Sequence, residues 1–211
     1  MKRSPERHSV LAAVTAYYTE KLAKFGATPR GVDWNSPDSQ SLRFRQLLTI
    51  VDGEQDFSIN DYGCGYGALL AALMERKAQF SYFGFDVAES MIRAAIEHYG
   101  HLPQCRFSTD ESSLPVADYT VASGIFNVRL DFDDSAWEQY FFDTLDSFHG
   151  ISRKGFAFNA LSSYADADKR RRDLYYADPL KLFHHCKVRY SRFVSLLHDY
   201  PLYEFTILVR K

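Results

Sequence analysis

The stretch Asp61-Tyr62-Gly63-Cys64-Gly65-Tyr66-Gly67 restricts what this chain can fold into more than any other. It joins a strand-like run, Phe57 to Tyr62, to a helical one, Ala68 to Lys77. Glycines at alternate positions let the backbone bend sharply and approach a ligand with no Cβ in the way. The helix beyond them aims unpaired N–H groups at the bend. No Gly-Lys-Ser/Thr follows, so the turn is not a phosphate loop. Gly63, Gly65 and Ala68 do satisfy the dinucleotide pattern G-x-G-x-x-A. Asp61 points the other way. A carboxylate at the mouth of the turn is awkward beside a pyrophosphate and suits a ligand with an ammonium group and no phosphate. Asp86 ends the next strand and would accept hydrogen bonds from ribose hydroxyls in either case. The plainer role for it is a cap on the helix that follows.

The rest of the chain repeats the strand-then-helix rhythm. Phe80–Phe85 is a second strand, Glu89–Tyr99 a helix, and Cys105–Ser108 a third strand. Tyr119–Ser123, helix Trp137–Phe148 and strand Gly155–Ala160 follow. This alternation predicts a parallel sheet covered by helices on both faces. Val188–Leu197 and Tyr203–Val209 read as two more strands, and the short joint at Pro201 makes them antiparallel. Ahead of the turn the chain reads helical. Val10, Val14, Tyr17, Tyr18, Leu22 and Phe25 share one face, and Gly26 and Pro29 stop that helix. Ser36-Pro37 is an N-cap with proline at the first helical position, opening a second helix that ends near Gly53. The division expected is a helical cap over 1–53 and an α/β core over 54–211.

Charge and composition exclude several functions. Lys+Arg total 25 against 27 Asp+Glu, a net charge of -2, so bulk attraction to nucleic acid or anionic membrane is not expected. No apolar run reaches the ~20 residues of a membrane helix, and no signal-peptide pattern follows Met1. Cys64, Cys105 and Cys186 form no CxxC, which fits free thiols in a reducing cytoplasm. His184-His185-Cys186 is no metal site, because adjacent side chains point apart and no second cluster completes it. Lys169 to Arg172 reads as the solvated face of a helix, with a local site for an acidic substrate or RNA phosphate as the sharper alternative. Cys64 is a small side chain fitting beneath a ligand rather than a nucleophile.

Several motifs in order resemble those of class I S-adenosylmethionine-dependent methyltransferases. Asp61 to Gly67 is similar to their first motif, Gly84 to Met91 to their second, and Asp110 to Pro115 to their third, acid-bearing loop. Ser123-Gly124-Ile125-Phe126-Asn127 falls where their fourth strand ends beside the transferable methyl. The terminal strand Glu204–Leu208 matches their antiparallel seventh. Gly31 to Ser36 with Ser39 to Phe44 looks like the cap of a little-described branch. The resemblance implies a Rossmann-like seven-stranded sheet, mostly parallel, with an antiparallel C-terminal strand and helices on both faces. It implies S-adenosylmethionine as cofactor. Backbone at Gly63, Gly65, Gly67 and Gly124 would lie along it. Asp61 would take its ammonium, Asp86 its ribose, Val87 and Met91 its adenine face, and Asp110 or Glu111 its adenine edge. Trp34 and Arg43 would close over it, Arg43 on the methionine carboxylate. Phe126, Asn127 and Asn159 would face the methyl, and Tyr17, Tyr18, Tyr164, Tyr175 and Tyr176 would wall an acceptor pocket. No general base can be named. The function expected is methyl transfer to a small molecule. Alternatives are an RNA or protein methyltransferase, an NAD-dependent oxidoreductase, and a non-catalytic cofactor-binding module.

Overall fold

Strands buried on both faces need apolar side chains on both, and β1 (Asp56–Tyr62) supplies Phe57 and Ile59 to one core cluster and Tyr62 to the other. The chain is described by a computed structural model over residues 5–34 and 36–211; Met1–Ser4 and Asn35, the latter within the cap stretch Gly31 to Ser36, lie outside the described residues. After β1 come α3 (Ala68–Met74), β2 (Gln79–Phe85), α4 (Glu89–Tyr99), β3 (Cys105–Ser108) and β4 (Ala117–Ala122). Then follow α5 (Asp134–Ile151), β5 (Ser152–Leu161), α6 (Pro179–Arg189), β6 (Phe193–Leu197) and β7 (Glu204–Arg210). Before the sheet stand α1 (Pro5–Phe25), a 3-10 turn at Pro29–Val32, and α2 (Pro37–Leu48). Ser36 caps α2 as the sequence predicts: its hydroxyl accepts from Ser39 N, and Ser39 answers on the Ser36 N–H.

The seven strands run in the order β3-β2-β1-β4-β5-β7-β6. The first five are parallel, and β7 lies antiparallel to both β5 and β6. The order reverses between β1 and β4, so a crevice opens at the carboxyl ends of those strands, the usual ligand position in such sheets.

One face of the sheet packs on α5 through Trp137, Phe141, Leu145 and Phe148, together with Val10 and Leu11 of α1 and Leu182 of α6. The other packs on α2 and α3 through Phe44, Leu47, Leu48, Leu69, Leu70 and Leu73. Thus α2 belongs to the sheet's covering layer. The stretch expected as a cap, 1–53, therefore includes a helix that packs on the sheet. Two expectations are corrected. Residues 179–189 form α6, capped by the Asp178 carboxylate on Leu180 N and Lys181 N, so β6 begins at Phe193 and not at Val188. The basic run is not a helix face. Only a 3-10 turn, Ala167–Lys169, forms there, and Arg170 donates to the Ser163 and Ala165 carbonyls.

Candidate active site

The Gly-rich turn is held by the strand beside it. Gly63 N and Cys64 N both donate to Phe85 O, at 2.7 and 2.9 Å. Gly63, Gly65 and Gly67 take φ of 78°, 54° and 84°, which L side chains rarely adopt. A Cβ on Gly63 would lie 2.2 Å from Ile125 Cγ2, and one on Gly65 would lie 3.2 Å from Val32 Cγ1. The glycines therefore let the β4 turn and the cap close onto this bend, whose N–H groups at Gly63, Cys64, Gly65 and Gly67 are taken up in holding its shape.

Above the turn lies a cleft of about 820 Å³, open solvent at its mouth included. Of the residues expected at a site, Asp61, Gly63, Gly65, Asp86, Val87, Met91, Trp34, Gly124 and Tyr18 all line it. Asp61 is 2% exposed and accepts the Tyr82 hydroxyl at 2.7 Å. Asp86 accepts from Gly65 N and Ala88 N, each at 2.9 Å. Burial pushes the Asp61 carboxyl up to about 7, with the Tyr82 hydrogen bond opposing and the Asp86 charge adding. Burial also raises Asp86 to about 6, against the pull of the Ala88 and Gly65 N–H groups. Neither shift has a cation among its causes. The cleft thus holds two carboxylates that a cationic ligand would stabilise.

The other expected site residues lie elsewhere. Arg43 is buried and bound to Glu204 of β7: Nε donates at 2.9 and 2.7 Å, and Nη2 at 2.5 Å. Its charge is neutralised inside the protein, which corrects its expected place on a ligand carboxylate. It stacks instead on Trp34, 3.9 Å from the ring centroid. Trp34 in turn covers Gly124, where a Cβ would meet the ring at 2.5 Å. Phe126 is corrected as well: fully buried, it stacks on Phe141 with centroids 3.6 Å apart. Asn159 is buried and accepts from Gly124 N at 2.7 Å, and Asn127 accepts from Leu161 N at 3.2 Å. Both shape the loop after β4 rather than facing the cleft. Asp110 caps Ser112, and Glu111 accepts from Arg7 and Tyr62 at 2.8 and 2.7 Å. Gly67 caps α3 beneath Tyr99.

Of the acceptor tyrosines only Tyr18 lines the cleft. Tyr17 donates to Asp33, Tyr175 donates to Glu138, and Tyr176 accepts from Arg171 N. Tyr164 is 65% exposed. Sequence reasoning missed Leu11, Val14, Gln40, Phe44, Tyr66 and Tyr140, which all line the cleft. The apolar face of α1 was a signal for the first two. The partnership of Gln40 with the Tyr66 hydroxyl, at 3.2 Å, had none.

Comparison with known proteins fits this geometry. The fold superposes on Burkholderia thailandensis 1,6-didemethyltoxoflavin-N1-methyltransferase with a TM-score of 0.65 at 16% identity, covering 100% of this chain and 92% of that one. It also superposes on Synechocystis magnesium protoporphyrin IX methyltransferase, with a TM-score of 0.63 at 10% identity over 99% of each chain. These show the fold. A Mycobacterium tuberculosis protein that carries the provisional name of methyltransferase is 53% identical over 164 residues, 78% of this chain and 99% of its own length. The chain belongs to the same methyltransferase family as this relative. No family model matches it. Among the described residues of this methyltransferase, no helix is long and apolar enough to cross a membrane.

The two raised carboxyls give a pH signature. Both have an ordinary value of 3.8 and titrate higher in the fold, at about 7 and about 6. The folded, ligand-free protein therefore binds more protons than the unfolded chain over that window. Their contribution to stability is complete below about pH 4 and is lost as pH rises through 6 to 7. A cationic ligand needs the carboxylates ionised, so its affinity rises over the same range. Melting of the ligand-free protein between pH 5 and 8 should fall by several degrees, and Asp61→Asn should flatten most of that slope. An unchanged slope in the variant would mean that Asp61 is not the titrating group.

Proposed function

We propose that this methyltransferase moves the methyl of S-adenosylmethionine to a small molecule held in the cleft beneath α1. The observation that carries the reading is the pair of cation-free carboxylates, Asp61 and Asp86, at the ends of adjacent parallel strands beside the Gly-rich turn. On this reading Asp61 takes the ammonium and Asp86 the ribose hydroxyls. The backbone at Gly63 and Gly65 lies along the amino-acid part, and Val87 and Met91 flank the adenine. The bound group supplies a methyl already activated on a sulfonium. The protein's work is alignment and exclusion of water, which together are worth ~7–11 kcal/mol of barrier. A small acceptor is favoured over RNA because Arg170 and Arg171 of the basic run are bound to the protein itself. Incubation with methyl-labelled S-adenosylmethionine and a fractionated cell extract tests this. Label should appear in the small-molecule fraction; label confined to RNA or protein would contradict it.

The cap over this site is latched. Asp33, at φ 60°, accepts from Lys21 Nζ at 2.6 Å, Tyr17 Oη at 2.9 Å and Arg171 Nη1 at 3.1 Å. Arg171 comes from the segment after β5, whose backbone is tied to the loop after β4 by Leu130 N to Asp173 O at 2.9 Å. The next residue after Asp33 is Trp34, so the latch holds the ring over Gly124. Half-exposed ion pairs of this kind contribute about 0.5–1 kcal/mol. Arg171→Ala should therefore barely change the melting temperature but release S-adenosylhomocysteine about threefold faster, as read by stopped-flow tryptophan fluorescence. An unchanged release rate would show that the latch does not govern the cap.

A further inference from the structure

We propose that the acceptor half of the cleft takes an uncharged or cationic, mainly apolar ring compound and shuts out phosphates and carboxylates. This rests on the methyl-transfer reading above. Among the described residues lining the cleft, the only carboxyl side chains are Asp61 and Asp86; no Lys, Arg or His stands on its wall. Two guanidinium groups lie close behind, and each is matched by a carboxylate of its own. Arg7 meets Glu111 at 2.8 Å, and Arg43 meets Glu204 at 2.5 Å. Neither contributes a net positive charge to the space. With both carboxyls ionised, as a cationic ligand or a pH above 7 holds them, the sum facing the cleft is two negative charges.

The phenols do not alter that sum. Burial raises Tyr18, Tyr62 and Tyr140, so they stay protonated near neutral pH and take no proton from an acceptor. A bound S-adenosylhomocysteine brings one ammonium and one carboxylate, which leaves the wall's charge uncancelled. An anionic acceptor would add another negative charge in a space where no cation stands among the described lining residues, and that cost outweighs apolar contact. The remaining wall suits a ring. Leu11, Val14, Phe85 and Ile125 offer apolar surface, and the tyrosine rings offer faces that attract cations.

The test uses one ring system in three charge states. The protein, saturated with S-adenosylhomocysteine, is titrated by calorimetry with a naphthyl carboxamide, naphthylmethylamine and naphthoate. The amide and the amine should bind at least about tenfold more tightly than the carboxylate. Val14→Lys places an ammonium on the α1 wall and should narrow or invert that ratio by about tenfold. Naphthoate binding as tightly as the amide would overturn the proposal. So would binding of neither the amide nor the amine to the S-adenosylhomocysteine complex, or an order that Val14→Lys leaves unchanged. Failure of S-adenosylhomocysteine itself to bind is seen separately in the first titration and would count against the methyl-transfer reading instead.

Discussion

Replacing Asp86 with alanine should weaken S-adenosylhomocysteine binding by about 100-fold and leave the chain folded. Asp86 stands at the carboxyl end of β2, where its two oxygens already gather Gly65 N and Ala88 N at 2.9 Å each. A ribose bound there would share the same oxygens. Charge-assisted hydrogen bonds contribute about 1.5–3 kcal/mol each. Losing the pair therefore costs about 3 kcal/mol, close to two decades in affinity. The fold should survive because burial raises this carboxyl to about 6, which means that its charge is a burden on the ligand-free protein. Asp86→Asn keeps one acceptor and should lose only about tenfold. Calorimetry reads the affinities and circular dichroism the folding. An Asp86→Ala protein that is folded and binds as tightly as the wild type would place the ribose elsewhere.

The largest effect on stability should come from Arg43→Ala. Glu204 is 1% exposed in β7, and removing the guanidinium leaves its carboxylate alone in the sheet's interior. Breaking one side of such a pair costs about 3–5 kcal/mol. For a chain of this size, that lowers the melting temperature by on the order of 10 °C. Replacing both partners by apolar residues, Arg43→Met with Glu204→Leu, should recover most of the loss, because no charge is then stranded. The single variant should also weaken the cofactor a few-fold, since Trp34 loses the cation beneath its ring and with it a support for its position over Gly124. A single variant that melts within 2 °C of the wild type would show that the pair contributes little.

Much of this architecture could be read from local pattern. The Gly-rich turn, its flanking strand and helix, and Asp61 and Asp86 lie within one continuous stretch whose chemistry is decided by neighbours a few residues away. The Ser36-Pro37 cap was legible for the same reason. What was not legible depends on partners distant in sequence. Arg43 and Glu204 are 161 residues apart, so nothing near Arg43 shows that its charge is taken. Phe126 sits one residue beyond the cleft-lining Ile125, yet its ring turns to Phe141 of α5, a choice made by tertiary packing. Helix α6 did have a local signal in Asp178-Pro179, an N-cap followed by proline. Its end, Val188-Arg189-Tyr190, carries two β-favouring residues and so reads locally as the start of the next strand. The His185 ring in fact packs on Phe142, with centroids 4.3 Å apart.

Calorimetric titration of the wild-type protein with S-adenosylmethionine, S-adenosylhomocysteine and NAD tests the central claim most directly. The geometry of Asp61, Asp86 and the Gly-rich turn predicts micromolar binding of both S-adenosyl compounds, stronger at pH 8 than at pH 6, and none of NAD. Binding of NAD alone, or S-adenosyl binding that Asp86→Ala leaves untouched, would contradict it.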